Sequence, residues 1–219
     1  MMKKYILLSL LIIYNTLIIS AEDNRYSKYY YQRVSQFEVL PIVEKDIVFI
    51  GNSITDYCEW GELFQNPDIK NRGISGDVCE GVLNRLSSVT EGKPKKIFLM
   101  IGINDLIKGR SPDTIAIIIN KIIENIEHST PKTRIYLQSV LPADRKFSDN
   151  IIKQGGVIGL NNLLKDIAST RKITYIDLHS NFIDYDIGTI KSQYSNDGLH
   201  LMGKGYILWK TILLPYINE

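Results

Sequence analysis

The strongest constraint on the fold is a run of four apolar residues, Ile47 to Ile50, that ends abruptly at the polar turn Gly51-Asn52-Ser53. A short apolar run bounded by a turn predicts a strand buried on both faces, and such strands belong to parallel sheets covered by helices. Ligands of these sheets bind beyond the carboxyl ends of the strands. Ser53 is therefore predicted to lie where such a protein would do its chemistry.

Further segments of the same character alternate with helical patterns along the chain. The predicted strands cover residues 45–50, 68–73, 95–101, 134–140 and 172–178, of which the second is the weakest. This alternation predicts an α/β protein, a three-layer α/β/α sandwich around a five-stranded parallel sheet. We expect the flavodoxin-like strand order 2-1-3-4-5, with the site at the carboxyl ends of the strands.

Apolar stripes at helical spacing predict three long helices. The clearest begins at Ser111-Pro112, a cap followed by proline at the first helical position, and carries isoleucines at positions 115, 118, 119, 122, 123 and 126. The second covers residues 157–168, and the third runs from Tyr206 to Leu214, where Pro215 is expected to stop it. Residues 142–156 have no clean period and are predicted to form a long surface loop that overhangs the site.

The first 21 residues are predicted to be a secretory signal peptide, which leaves one domain over residues 22–219. Lys3 and Lys4 precede an apolar run, and the small residues Ser20 and Ala21 lead into a charged segment. The mature protein would then be periplasmic or extracellular, without stable membrane insertion. The alternative is an uncleaved amino-terminal helix that anchors the protein, although the run is short for a spanning helix.

Charge and cysteine content narrow the range of partners. Removing residues 1–21, which include two lysines and no acid, would change the formal net charge from +2 to 0. The only basic cluster lies at residues 92–96, so no nucleic-acid partner is expected.

Cys58 and Cys79 could form one disulfide in an exported protein or remain free thiols. With three histidines they have no metal-ligand spacing, so no metal and no cofactor are expected, and the oligomeric state stays open.

Four polar segments follow predicted strands or lie in a late loop, at residues 51–55, 71–77, 102–105 and 196–201. Each is weak alone, because glycine, serine, asparagine and aspartate are ordinary turn and cap residues. In this order and placement, however, they resemble the four blocks of the SGNH hydrolases, the GDSL-type esterases and lipases. The matching residues are Ser53, Gly76, Asn104 and His200, and the resemblance covers essentially the whole of the mature chain.

The sequence of residues 70–86 and 97–105 is similar to that of the acetylhydrolase branch of the family. This branch includes platelet-activating-factor acetylhydrolase-like and sialate O-acetylesterase-like proteins. The chain departs from the family at one position. The first block usually reads Gly-Asp-Ser, whereas this chain has Asn52 before Ser53. Asparagine can hold the turn, but the change removes a carboxylate beside the nucleophile, which leaves the local charge and the pH optimum open.

The resemblance implies that Ser53 is the nucleophile and that its backbone N–H, the Gly76 N–H and the Asn104 side-chain amide form an oxyanion hole.

A serine hydroxyl needs a general base, and histidine suits that role near neutral pH. Three histidines compete for it. His200 is favoured because Asp197, three residues earlier, can turn back onto its imidazole, with Asp177 as a rival for that carboxylate. His128, at a helix end, is expected to be a cap, and His179 is a minor candidate. Asp105 is expected to hold the loop that carries Asn104.

Two further residues are candidate substrate contacts. Trp60, in the loop after the first strand, could stack on a sugar ring or pack in the core. Arg72 could bind a substrate carboxylate or have a structural role, and the structural role is favoured. The three consecutive tyrosines at 29–31 cannot share one face and are expected to belong to an amino-terminal packing segment.

The predicted function is hydrolysis of short-chain esters, acetyl esters in the first place, through an acyl-serine intermediate. A carbohydrate-borne ester is the expected substrate, because of the predicted export and the branch that the sequence resembles. A lysophospholipase or thioesterase of the same fold is the nearer alternative. A carbohydrate-binding protein without turnover is the more distant one, and the presence of all four block residues argues against it.

Overall fold

A five-stranded parallel sheet with the strand order β2-β1-β3-β4-β5 forms the centre of the protein in a computed structural model that describes residues 25–151 and 153–219. The strands are β1 (Ile47–Gly51), β2 (Ile69–Gly73), β3 (Lys96–Met100), β4 (Arg134–Gln138) and β5 (Thr174–Ile176). Each lies within a predicted segment or overlaps it, so the predicted fold class and the order 2-1-3-4-5 are confirmed. The predicted signal peptide, residues 1–21, lies outside the described residues.

Helices cover both faces of the sheet. Those long enough to set the layers are α1 (Lys28–Glu38), α7 (Pro112–Ser129), α8 (Gly156–Arg171) and α10 (Gly203–Asn218). Shorter helices lie in the segments between the strands and the long helices, and they are α2 (Ser53–Asp56), α3 (Trp60–Phe64), α4 (Cys79–Asn84), α5 (Ser87–Thr90), α6 (Ile103–Ile107) and α9 (His179–Phe182). Helix α9 is followed by an antiparallel pair of short strands, β6 (Ile183–Asp184) and β7 (Thr189–Ile190). None of the helices within the described residues has the length and apolarity that crossing a membrane requires.

The isoleucine stripe of α7 faces the sheet as predicted. Ser111 caps the helix by accepting a hydrogen bond from the Thr114 N–H at 3.3 Å, and Pro112 occupies the first turn. The isoleucines at 115, 119, 122, 123 and 126 are buried. Helix α8 packs beside α7, and its stripe is buried in the same layer. Burial of these side chains contributes hydrophobic stabilisation to this layer.

The opposite face of the sheet carries a row of stacked aromatic rings. Strand register places Phe49, Phe98 and Tyr136 level with one another, and their rings stack at 4.9 and 4.5 Å. Trp60 continues the row on Phe49 at 4.1 Å, is 1% exposed, and donates its indole N–H to the Thr55 carbonyl at 2.9 Å. Trp60 is therefore a core residue, and the prediction that it contacts substrate is wrong.

Pro215 does not stop the last helix, contrary to the sequence prediction. Helix α10 continues to Asn218 with Pro215 in its final turn. Proline there removes a single N–H, and the rest of the turn is held from outside. The buried ammonium of Lys96 donates to the carbonyls of Tyr216, Ile217 and Glu219 at 2.7, 3.0 and 2.8 Å. A cation at a helix carboxyl terminus is favourable, so this contact explains why the helix persists.

The segment 142–156 is more regular than predicted. It forms three short 3₁₀ turns, Arg145–Phe147, Asp149–Ile151 and Lys153–Gly155, and the side chain of Ile151 is buried. The Asp144 N–H donates to the Gly198 carbonyl at 2.8 Å, which ties the segment to the loop of residues 195–200. The prediction of an irregular loop is thus corrected, while its place beside a predicted site loop agrees with expectation.

Candidate active site

Ser53 is the first residue of α2 and lies directly beyond the carboxyl end of β1. Gly51 is required there, because a Cβ atom would collide with the Thr55 side chain and the Met100 carbonyl. Asn52 caps the helix, since its Oδ1 accepts a hydrogen bond from the Ile54 N–H at 3.0 Å. Asparagine therefore preserves the turn in place of the aspartate that is usual at this position.

The side chains of Ser53, His200 and Asp197 form one hydrogen-bonded row. The Ser53 Oγ lies 3.0 Å from the His200 Nε2, and the His200 Nδ1 lies 2.7 Å from the Asp197 Oδ2. The chain separation between Ser53 and His200 is 147 residues, so the fold alone brings them together. An imidazole held in this way can accept the serine proton on Nε2 while its other nitrogen donates to the carboxylate.

Asp197 is held in place by its own loop. Its Oδ1 accepts hydrogen bonds from the backbone N–H groups of Leu199 and His200, both at 2.8 Å. Desolvation raises the pKa of Asp197, but the hydrogen bonds from the His200 ring and from these two N–H groups outweigh it and keep the pKa well below its usual range. The carboxylate is therefore ionised at neutral pH and can stabilise a protonated imidazole.

The other candidates for the base and its carboxylate make different contacts. The Asp177 Oδ1 accepts from the Ser180 N–H at 3.1 Å and so caps the start of α9. The pKa of His179 is lowered by desolvation, and its backbone N–H donates a hydrogen bond to the Ser139 Oγ at 2.8 Å. His128 lies in the last turn of α7, the position expected for a cap. Within residues 25–151 and 153–219, only the His200–Asp197 pair reaches Ser53.

The three predicted oxyanion donors emerge side by side from neighbouring strands. Register places Gly51, Gly73 and Met100 level across β1, β2 and β3, so the loops that follow them leave the sheet together. Among the residues described by the structure, the N–H groups of Ser53 and Gly76 donate to no other group. Gly76 has φ +79°, a conformation that strongly favours glycine. Both N–H groups are thus available to a ligand oxygen.

Asn104 is oriented by the loop that carries Gly76. One N–H of its side-chain amide donates to the Asp77 carbonyl at 2.8 Å, which leaves the second N–H free to donate elsewhere. Asp105 accepts from the Cys79 N–H at 3.1 Å and from Arg110 at 2.5 Å while being 1% exposed. The expectation that Asp105 holds this loop is confirmed, because its carboxylate joins α6 to α4.

Arg72 has a structural role, as the sequence favoured. It is 4% exposed, and its guanidinium donates to the Leu40 carbonyl at 2.6 Å and lies over the Phe37 ring at 4.8 Å. Desolvation lowers its pKa to about 10. The guanidinium lies under α1 and its linker, so the candidate role in substrate binding is corrected.

The two cysteines are free thiols. Cys58 and Cys79 are both buried and make no disulfide. Desolvation raises the pKa of Cys58 to about 12 and raises that of Cys79 well above its usual value. Of the two alternatives left open by the sequence, the structure shows free thiols.

Sequence reasoning missed Tyr57 at the mouth of the site. Its ring lies 5.2 Å from the His200 ring, it is 55% exposed, and its hydroxyl hydrogen-bonds the Ser75 Oγ at 3.0 Å. One signal could have found it. Tyr57 lies four residues after Ser53, which places both on one face of a helical turn.

The fold and the site define a serine-hydrolase-like α/β protein, with a Ser-His-Asp arrangement at the carboxyl edge of a parallel sheet. The sequence profile of the GDSL-like lipase/acylhydrolase family matches residues 49–208. The chain belongs to this family and is a hydrolase of the acylhydrolase type.

Individual relatives agree with that assignment. The human platelet-activating factor acetylhydrolase IB subunit alpha2 is 30% identical over 170 residues, which cover 74% of this chain and 72% of the relative. A Streptococcus pneumoniae structure, provisionally described as a platelet activating factor, is 28% identical with a TM-score of 0.77 and covers 92% of this chain and 99% of its own. A GDSL-like lipase from Bacteroides thetaiotaomicron is 25% identical with a TM-score of 0.75, covering 86% and 97%.

Proposed function

We propose that the protein is a serine esterase that hydrolyses acetyl esters through an acyl-serine intermediate on Ser53. The observation that carries the proposal is the hydrogen-bonded row from the Ser53 Oγ through His200 to Asp197, with distances of 3.0 and 2.7 Å. This arrangement supplies a nucleophile, a general base and a carboxylate that fixes the base's tautomer. The free donors beside Ser53 supply the remaining requirement of acyl transfer.

In the first half-reaction the Ser53 Oγ attacks the ester carbonyl while its proton passes to the His200 Nε2. The carbonyl oxygen becomes an oxyanion, which accepts hydrogen bonds from the N–H groups of Ser53 and Gly76 and from the free N–H of Asn104. The imidazolium, stabilised by Asp197, then returns the proton to the leaving alkoxide, and acetyl-Ser53 remains.

In the second half-reaction water replaces the alcohol. His200 takes a proton from the water, and the hydroxyl attacks the acetyl-Ser53 carbonyl. This forms a second oxyanion, which accepts hydrogen bonds from the same donors. Collapse of this intermediate releases acetate, and the imidazolium reprotonates the Ser53 oxygen. The cycle consumes one water and leaves Ser53 unchanged.

Two observations support a short acyl group. The human relative is named an acetylhydrolase. The loops nearest the site, residues 52–62, 74–79 and 142–156, contain no long apolar stretch that could line an acyl-chain tunnel. A longer acyl group would place apolar surface against mostly polar loops without the gain from burial that a tunnel provides.

A carbohydrate is proposed as the alcohol part of the ester. Tyr57 supports this, because it presents a half-exposed aromatic face beside the imidazole, the side from which a leaving alcohol departs, and such a face can pack on the apolar side of a sugar ring. The proposed export of the protein would place it where acetylated glycans are accessible. The name of the human relative favours a second candidate, the acetyl ester of platelet-activating factor.

The test is a series of p-nitrophenyl esters from acetyl to dodecanoyl, assayed with the mature protein. We expect kcat/KM to be highest for acetyl and to fall as the chain lengthens, and activity that rises with chain length would contradict the proposal. Acetate release from acetylated xylan-type glycans and from platelet-activating factor then separates the two candidate alcohols. The export proposal is checked separately by sequencing the amino terminus of the protein from the native host, with a start near Glu22 expected.

A further inference from the structure

Gly76 itself lies in open space, although Ile74 before it and Asp77 after it are buried. A Cβ added at Gly76 would meet no atom within 4 Å, so no close-packed neighbour fixes this one position. Within the loop, the Asp77 N–H donates to the Ile74 carbonyl at 3.1 Å. The contacts made by the residues on either side of Gly76 therefore set the direction of its N–H.

The residue before Gly76 is bound at two points by the turn that ends the nucleophile helix. The Ser75 N–H donates to the Asp56 Oδ2 at 3.0 Å, and the Ser75 Oγ hydrogen-bonds the Tyr57 hydroxyl at 3.0 Å. Asp56 is the last residue of α2, which begins at Ser53. The Asp56 carboxylate thus connects the segment that carries the nucleophile to the loop of a second oxyanion donor.

Asp56 is itself held by α1. The Tyr29 hydroxyl donates to the Asp56 Oδ2 at 2.7 Å, and the Arg33 Nη2 lies 3.3 Å from the Asp56 Oδ1. The Asp56 side chain is only 5% exposed, so these partners supply the hydrogen bonds that water would otherwise make. The Tyr29–Asp56 contact spans 27 residues of sequence and places α1 two hydrogen bonds away from Ser75.

We infer that Asp56 is a positioning residue for the oxyanion hole and that α1 acts through it as a brace on the Gly76 loop. This inference rests on the proposed function, because it gives the Gly76 N–H a role in stabilising the transition state. Its consequence is that catalysis depends on Tyr29 and Arg33, which touch neither substrate nor the catalytic side chains.

Removing the Asp56 carboxylate should lower kcat while leaving KM nearly unchanged. The loss of one oxyanion donor costs about a hundred-fold or more in kcat, so a displaced donor in Asp56→Ala should cost about ten-fold. Asp56→Asn keeps an oxygen that can accept from the Ser75 N–H and should retain most of the activity. A purely structural role would lower the thermal midpoint without this separation of kcat from KM.

The decisive experiment is a double-mutant cycle between Tyr29→Phe and Asp56→Ala, assayed on p-nitrophenyl acetate. Tyr29→Phe alone should lower kcat by about three-fold, and it should have no further effect in the Asp56→Ala background, because the carboxylate through which it acts is gone. Tyr26→Phe is the matched control, since Tyr26 stacks on Tyr30 at 4.2 Å in the same cluster, and it should leave kcat unchanged.

Independent, multiplying effects of Tyr29→Phe and Asp56→Ala would overturn the inference. If Asp56→Ala does not fold, Tyr29→Phe combined with Arg33→Met removes both contacts from α1, and a normal kcat in that variant would equally overturn it. The wild-type protein and Ser53→Ala are assayed in parallel. Activity that persists in Ser53→Ala would contradict the proposed function itself, so the two failures are distinguishable.

Discussion

The proposed base side and the proposed oxyanion side of the site are built by contacts of very different range. His200 and Asp197 belong to one turn, in which three hydrogen bonds join residues two or three positions apart. The proposed donors Ser53, Gly76 and Asn104 come instead from three segments, each following a different strand. The base side is thus a local structure that only has to be placed beside Ser53. The donors of the oxyanion side, in contrast, come together only when β1, β2 and β3 are in register.

This difference has an energetic consequence. A local turn with its own hydrogen bonds can keep its geometry when distant packing is perturbed, while an assembly of three loops depends on every contact that holds the loops together. Substitutions far from the chemistry should therefore affect the oxyanion side more than the base side.

The largest effect is expected for the general base. His200→Ala leaves the serine proton without an acceptor, so kcat should fall by about 10⁴-fold or more. His179→Ala is the control, because that imidazole contacts neither Ser53 nor Asp197, and its kcat should stay within about two-fold of wild type. Steady-state kinetics on p-nitrophenyl acetate measures both. A comparable loss in both variants would show that the base had been misassigned.

The carboxylate of the base side comes next. Asp197→Asn removes the negative charge and the acceptor that hold the tautomer of His200, so kcat should fall by roughly a hundred-fold or more with little change in KM. Asp177→Asn should affect mainly the thermal midpoint, since that side chain caps α9. A near-normal kcat for Asp197→Asn with a collapse for Asp177→Asn would assign the acid to Asp177 instead.

On the oxyanion side, Asn104→Ala removes a neutral donor and also releases the Asp77 carbonyl. We expect a loss of about a hundred-fold in kcat, with KM changed by no more than about three-fold. Asn162→Ala, an exposed asparagine on α8, serves as the control for removing an amide. If Asn104→Ala instead raised KM and left kcat intact, Asn104 would be a ground-state binding residue.

A pH profile separates the two ionisable partners of the base side. Desolvation raises the pKa of Asp197, but its hydrogen bonds hold the pKa well below the usual range, so the carboxylate keeps its charge from about pH 9 down to about pH 5. Asp197 should then contribute no titration step to the profile over this range. We expect log kcat/KM to fall on acidification with a slope of at most one proton. A slope of two would mean that Asp197 titrates in the same range.

The smallest effect is expected for the thiols, which belong to neither side of the site. Cys58 is 5% exposed and Cys79 is fully buried, and desolvation raises the pKa of Cys58 to about 12. Both thiols stay protonated at about pH 8, so iodoacetamide should neither modify the native protein nor reduce its activity. Mass spectrometry before and after denaturation checks this. Rapid alkylation of the native protein would contradict the burial of these side chains.

The same contrast explains which features could be predicted from the sequence. The strands, the isoleucine face of α7 and the Asp197–His200 turn were predictable, because each follows from residues close together in sequence. Trp60 was misread as a possible substrate contact, because the stack that buries it uses aromatic residues from β1 and β3. The continuation of α10 through Pro215 depends on Lys96, which lies about 120 residues earlier.

Long-range contacts also account for the residues that sequence reasoning missed. The tyrosines at 29–31 were expected to be a packing segment, and Tyr30 is indeed buried, with its hydroxyl donating to the Gly81 carbonyl at 2.9 Å. Nothing in the local pattern indicated that Tyr29 would reach Asp56. That contact exists because α1 crosses the loops at the edge of the sheet, a placement that no periodicity encodes.

The central claim is that Ser53 is a nucleophile activated by His200, and the most direct measurement is labelling with a fluorophosphonate followed by peptide mass spectrometry. The account predicts a single adduct on Ser53 of the wild-type protein, no adduct in folded Ser53→Ala, and strongly slowed labelling in His200→Ala. An adduct on another residue, or labelling of Ser53→Ala at the wild-type rate, would contradict it.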